Sequence, residues 1–189
     1  NTMEGSRREP RLRPPFPTIS GLLGGPTVIN NAETLAAVPF ILNNGAADYA
    51  ATGSESASGT KVVSLSGSVR RTGVAEVSMG MTLRDIVYSV GGGLPHDRTL
   101  SGVAVGGPSS GVFPPSMLDT PIGPGQLHDT GVMLGAGGLI VLDDEMSPLA
   151  AVRKLAAYNA DESCGKCTPC RERTPRMVTI IDKIMNGRG

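Results

Sequence analysis

The sequence predicts an α+β chain of more than one domain, and three observations carry that reading. Between residues 61 and 113 apolar side chains come in short strand-like runs separated by glycine-rich turns. On either side of that region they recur every three to four positions, the period of helices. All three cysteines, Cys164, Cys167 and Cys170, crowd into one stretch, ESCGKCTPCRER, between two predicted helices. A chain of 189 residues is long enough to bury a sizeable core.

Each element can be justified in order. The opening stretch to about Pro26 is rich in proline and arginine, and RLRPPFP predicts extended chain. In TVINNAETLAAVPFILNNG, Val28 and Ile29 read as a strand end. Asn31 is placed to cap a helix, with Thr34 three positions later and Leu35, Val38, Ile41 and Leu42 on one apolar face. Asn44-Gly45 marks its end. ATGSESASGT is a small-residue loop and a candidate domain boundary.

KVVSLSGSV and VAEV then predict two strands joined by a turn at Gly73. MTLRDIVYSVGGG predicts a short helix, capped by Thr82, with Leu83, Ile86, Val87 and Val90 inward. Gly91 to Gly93 stop that helix; because they follow a helix rather than a strand, they are read as a stop and not as a phosphate loop. LSGVAVGG and GVFPP give two further strands. Strand, strand, helix, strand, strand in so short a span is the pattern of a ubiquitin-like β-grasp domain. GLIVLDDE adds one more strand. A helix from Ser147 delivers the chain to the cysteines, and TPRMVTIIDKIM predicts another beyond them, with Met177, Ile180, Ile181 and Ile184 on one side.

Composition removes several functional classes. Lysine plus arginine and aspartate plus glutamate balance at 17 each, so no net field draws the chain to nucleic acid or anionic lipid. Three tyrosines, three phenylalanines and no tryptophan make a base-stacking platform a poor fit. Nowhere do about 18 apolar residues run together, as a membrane span requires. NTMEGSRREPRLRPP has no initiator methionine and no signal core, which leads to the expectation of an internal piece of a longer protein.

Three thiols at a strict two-residue gap suit a metal or a redox role in a reducing compartment rather than disulfides. Structural zinc would need a fourth ligand, and the candidates are His96 and His128, both far upstream. A redox dithiol would strand one cysteine. A four-iron cubane fits the C-x2-C-x2-C start, because it spreads thiolates over different irons; Thr174 stands where a ferredoxin run has its next cysteine, so a fourth ligand must come from elsewhere. Lys166 and Arg171 would set positive charge beside an anionic cluster. The bland readings of the other residues are a capping turn at Asn30 and Asn31, solvated histidines, and a salt-bridging role for the arginines of SRREPRLRP.

ESCGKCTPCRE resembles the cluster loop of the NADH-binding flavoprotein subunit of respiratory complex I. The same module is shared with the beta subunit of NAD-dependent formate dehydrogenase and with NAD(P)-reducing hydrogenase. REPRLRPPFP and GLLGGPTVINNAETLAAVP are similar to the end of that family's flavin domain. KVVSLSGSV through GGPSSGVFPP is similar to its soluble-ligand-binding β-grasp (SLBB) domain, and DTPI with LGAGGLIVLDD to the lead into its cluster helices. The resemblance implies three pieces: residues 1–58 as the end of an α/β FMN- and NADH-binding domain, 59–143 as the β-grasp domain, and 144–189 as the start of a helical 4Fe-4S domain.

By the same resemblance, Cys164, Cys167 and Cys170 are three ligands of a 4Fe-4S cluster whose fourth cysteine lies past Gly189, and Asn30, Asn31 and Thr34 contact FMN. The implied activity is that of an NADH dehydrogenase subunit passing electrons from NADH through FMN to the cluster. The other subunits of an NADH-linked redox complex, including a 2Fe-2S ferredoxin-like one, would be its partners, with no nucleic acid and no direct membrane insertion. It would be cytoplasmic, or on the mitochondrial matrix side, peripheral to the membrane through those partners. The alternative of another class is a non-catalytic binding module stapled by structural zinc. No catalytic residue is assigned, since the family's nucleotide loop and acidic flavin motif have no counterpart here, and this segment alone is expected to be inactive. Arg173 stands where the family commonly has glycine.

Overall fold

The computed structural model describes residues 5–6, 8–123, 127 and 130–189; His128 and Arg7 lie outside them. Two helices come first, α1 (Ala32–Asn44) and α2 (Ala46–Ala51). Asn31 caps α1 as predicted, its side-chain oxygen accepting from Glu33 N at 2.8 Å. Phe40 of α1 meets Tyr49 of α2 with ring centroids 6.4 Å apart. The predicted apolar face of α1 is not buried among the described residues: Leu35, Val38 and Leu42 are exposed. Val28 and Ile29 are exposed as well and belong to no strand, so the expected strand end is corrected. A strand needs a ladder partner, and none pairs with them among the described residues.

The small-residue segment after α2 is more ordered than a loop. It forms a minimal hairpin, β1 (Gly53–Ser54) against β2 (Ala57–Ser58). The main sheet follows, with β3 (Thr60–Gly67), β4 (Gly73–Ser78), β5 (Leu100–Val105), β6 (Gly111–Phe113) and β7 (Gly138–Asp143). Gly73 opens β4 rather than turning the chain. Sheet order is β4-β3-β7-β5-β6. β3 and β7 run parallel at the centre, while the other pairs are antiparallel. Strand alternation sends Val63, Leu65, Val103, Val105, Phe113, Leu139 and Val141 into one core.

That core is closed by the helical segment 83–90, whose Leu83, Ile86 and Val87 are fully buried. Burying each such side chain contributes about 1.5–3 kcal/mol. The predicted helix is present but not uniform: α3 (Leu83–Asp85) gives way to a π turn over Ile86–Val90. Thr82 caps it reciprocally, its Oγ accepting from Asp85 N at 3.1 Å and donating to the Asp85 carboxylate at 2.8 Å. On the opposite face of the sheet lies α4 (Pro148–Asp161), whose Ala150, Ala151, Leu155 and Tyr158 form one wall of a groove floored by Ile140 and Leu142. α5 (Thr168–Met185) packs antiparallel-wise against α4, held by a two-pronged pair from Arg153 to Asp182 at 2.7 and 3.3 Å. Of the predicted apolar face of α5, Ile181 is buried while Met177, Ile180 and Ile184 remain exposed.

Glu33 joins α1 to the sheet. β7 pairs with β3 only from Ser64 onward, so the Val62 N–H on that edge has no strand partner. Glu33 Oε1 accepts it at 2.8 Å, and Oε2 pairs with Lys61. The Lys61 ammonium first, and then the Val62 amide, hold the Glu33 carboxyl below its ordinary range. A carboxylate so depressed stabilises the fold above its unfolded pKa, and that contribution fades as pH falls through the lower, folded value. Glu33→Gln should therefore cost about 1 kcal/mol near neutrality. In urea unfolding from pH 7 to pH 3, the gap between the two proteins should hold down to the ordinary carboxylate pKa and close below it.

Candidate metal centre

The cysteine segment is built by the way α4 ends and α5 begins. Ser147 Oγ accepts from Ala150 N at 3.2 Å and Pro148 occupies the first turn, so α4 starts cleanly after β7. At its other end Glu162 N still donates to Tyr158 O, and the chain then leaves the helix. Gly165 takes φ +79°, a left-handed conformation that lets the backbone reverse between Cys164 and Lys166. Cys167 is the N-cap residue of α5, and its side chain makes no capping hydrogen bond.

Cys170 consequently lies inside the first turn of α5, and not in the inter-helix loop expected for all three cysteines. The helix starts earlier than its apolar pattern suggests, because Pro169 is compatible with a first turn. Arg173, where the family commonly has glycine, sits within the same helix with no positive φ, so its backbone does not call for a glycine.

All three cysteines are free thiols; Cys164 is half-buried, and Cys167 and Cys170 are exposed. Their surroundings are held from several directions. Arg171 donates from Nη1 to Gly165 O at 2.9 Å and from Nε to Glu172 at 3.2 Å. Thr174 Oγ donates to Cys170 O at 2.9 Å. Lys166 Nζ donates to Pro10 O, and Arg8 pairs with Glu162, so the N-terminal segment straps the loop. Lys166 and Arg171 thus keep their charge near the cysteines while their donors are partly engaged. The salt-bridging reading of the early arginines fits Arg8.

For a cluster as for a single ion, the three thiols leave a fourth ligand to be supplied. Among the described residues no three His, Cys, Asp or Glu side chains converge on one point. His96 lies exposed in a turn of the sheet domain. A cubane asks each thiolate to hold a different iron, so thiols at the positions of Cys164, Cys167 and Cys170 suit it, and the N-terminal end of α5 suits its negative charge.

Asn30, Asn31 and Thr34 lie together and exposed at the start of α1. Asn31 uses its oxygen for the cap, which leaves its amide N–H2 facing outward. Sequence reasoning did not find Glu33 or Ser163, and gave Arg8 a salt-bridging role without naming its partner, because these contacts are long-range or depend on the loop's path.

Residues 150–189 match the family model of the NADH-ubiquinone oxidoreductase-F iron-sulfur binding region, and residues 61–143 match that of the SLBB domain. The chain resembles the NADH-binding flavoprotein subunits along its whole length. It is 39% identical over 188 residues to the NADP-reducing hydrogenase subunit HndC of Solidesulfovibrio fructosivorans, aligning 100% of this chain with 38% of that protein. It is 40% identical to an F-type subunit of the NADH-quinone oxidoreductase of Rhizobium meliloti (strain 1021), covering 100% of this chain and 45% of the relative. The chain thus spans less than half the length of these curated relatives. The crystal structure of an NAD+-reducing [NiFe]-hydrogenase in the air-oxidized state superposes with a TM-score of 0.78 at 38% identity, over 98% of this chain and 31% of that one.

The Arg171 brace yields a local test. Arg171→Ala removes the bond to Gly165 O, worth about 0.5–1.5 kcal/mol. Hydrogen exchange at Gly165–Cys167 should quicken by up to about tenfold, the rate ratio for about 1.4 kcal/mol, while the central amides of α4 and α5 keep their protection.

Proposed function

We propose that this chain is the part of an NADH-oxidising flavoprotein subunit that supplies Cys164, Cys167 and Cys170 to a 4Fe-4S cluster. The observation that carries the reading is the set of three free thiols at the α4–α5 junction, within the segment that matches the iron-sulfur binding region. When bound, such a cluster supplies a one-electron carrier. The chain's own contribution is to hold the thiols: Gly165 turns the loop, Arg171 braces it, and α4 anchors both to the sheet. The order β4-β3-β7-β5-β6 supports reading that sheet as a β-grasp domain, with residues 1–58 as the end of a flavin domain, 59–143 as the β-grasp unit and 144–189 as the start of the cluster domain.

The parent activity follows as part of the same reading: NADH is the substrate, FMN the first acceptor, and other subunits of a redox complex the partners, a 2Fe-2S ferredoxin-like subunit included. Complex I is one setting. A hydrogenase diaphorase subunit is the second, favoured by the similarity to HndC and to the NAD+-reducing hydrogenase. Among the described residues no helix is long and apolar enough to cross a membrane, which is compatible with a peripheral subunit in the cytoplasm or matrix held by its partners.

Iron and acid-labile sulfide in the anaerobically purified full-length subunit, which carries the fourth ligand, test the cluster. A reducible four-iron EPR signal that Cys167→Ser abolishes is expected; stoichiometric zinc with no iron would sink the proposal.

The flavin contacts of Asn30, Asn31 and Thr34 need a separate test, because a cap and a ligand contact share one residue. Asn31→Ala should lose both, with about 1 kcal/mol less stability. Asn31→Asp keeps the capping oxygen and removes the outward N–H2 donors. In the full-length subunit the aspartate variant should therefore leave the thermal midpoint unchanged but weaken FMN retention by roughly tenfold. Undiminished FMN in both variants would leave Asn31 as a helix cap alone.

A further inference from the structure

One polar contact in the cysteine segment is not accounted for by ligand assignment. Ser163 immediately precedes Cys164 and is half-buried. Its Oγ lies 3.3 Å from Cys170 Sγ and 3.3 Å from the backbone nitrogen of Gly165. The contact with Gly165 fixes the direction of one bond, and the cluster reading fixes that of the other. The Gly165 N–H can only donate, so the serine oxygen accepts from it. A cysteine that ligates metal does so as thiolate, which has no proton to give. At Cys170 the hydroxyl must then be the donor. One proton and two lone pairs allow both roles at once.

Neighbouring polar side chains are directed elsewhere. The Thr174 hydroxyl donates to the Cys170 carbonyl, the Arg171 guanidinium to the Gly165 carbonyl and Glu172, and the Lys166 ammonium to the Pro10 carbonyl. Ser163 alone of these four reaches a sulfur. It also joins the two ends of the motif, since one oxygen touches both the turn that follows Cys164 and the helix residue Cys170.

We propose that Ser163 is a positioning residue of the cluster site that donates its hydroxyl proton to the Cys170 thiolate and raises the cluster's reduction potential. The inference rests on the cluster reading given above. Reduction adds one electron and therefore one negative charge, part of which falls on the thiolate sulfurs. A hydrogen bond to an anionic acceptor strengthens as that charge grows, so the donor favours the reduced form. The same oxygen, by accepting from Gly165 N, keeps the hydroxyl aimed at the sulfur rather than at solvent.

The test compares wild type, Ser163→Ala and Ser163→Thr in the full-length subunit, each purified anaerobically with its cluster, by redox titration followed by EPR. At the wild-type midpoint the alanine variant should show about a tenfold lower ratio of reduced to oxidised cluster, a negative shift of about 59 mV for one electron. The threonine variant keeps a hydroxyl and should titrate with the wild type. Proton hyperfine spectra in H2O and D2O should show an exchangeable proton coupled to the reduced cluster in wild type and threonine, absent in alanine. An alanine variant with full iron and an unchanged midpoint overturns the proposal. If alanine fails to hold the cluster, wild type and threonine decide the question: an exchangeable proton coupled to the reduced cluster in both supports the role, and its absence from both overturns it. A wild-type full-length subunit that takes up no iron overturns the cluster reading itself, and this inference with it, before any variant is compared.

Discussion

The parallel pairing of β3 with β7 is the constraint on which the rest of the molecule depends. Ser64 to Gly67 lie beside Gly138 to Val141, residues far apart in sequence. A parallel pair needs a long crossover, and here the crossover contains β4, the α3 segment, β5 and β6. β5 then pairs with the free edge of β7, which completes the sheet and encloses the core. Gly67 makes the approach possible: it takes φ +86°, and a Cβ there would stand 2.2 Å from the Val141 carbonyl oxygen. Just beyond the pair, Ser68 Oγ donates to the Asp143 carboxylate at 2.5 Å, and Ser68, with Arg98 next, holds that carboxyl below its ordinary range. The end of β7 is thereby fixed, and with it the point from which α4 starts.

Two further ties bring the N-terminal part of the chain to this frame. Glu33 closes the stretch of β3 that β7 does not reach, and the Arg8–Glu162 and Lys166–Pro10 contacts attach the proline-rich segment to the cysteine loop. The first is partly shielded and satisfies a backbone donor. The second pair is exposed, and ion pairs of that kind contribute little free energy on their own. Their effect is on where the segment lies. The sheet supplies the stability, and these contacts supply alignment.

Much of this was legible in the sequence because the signals were local. Asn31, Thr82 and Ser147 announce helix starts by their side-chain chemistry, and Val63, Leu65, Val103 and Val105 announce strands by alternation. The cysteine spacing suggests a metal site from the sequence alone. What sequence reading missed was set by distant partners. Nothing local says that GLIVLDDE enters the middle of the sheet, or that Val28 and Ile29 have nothing to pair with. The π turn at Ile86–Val90 depends on how Ile86 and Val87 seat in the core. Cys170 falls inside α5 rather than in the loop because the apolar pattern of TPRMVTIIDKIM begins after it, while Pro169 is at home in a first turn. The exposed apolar faces of α1 and α5 show the same limit from the other side, since periodicity reports a face suited to burial and not whether anything covers it.

The position of Cys170 inside α5 bears on how a metal group would be acquired. A residue held in a helix has already lost most of its backbone freedom, a loss worth about 1–2 kcal/mol per residue. Cys170 loses that freedom when the helix folds, so little of it remains to oppose capture of a metal. Cys164, beside the reversing Gly165, keeps more, and Cys167 stands between the two. The three thiols therefore differ in readiness. In the proposed cluster site, an incoming iron–sulfur unit would meet on the helix a thiol whose backbone is already fixed.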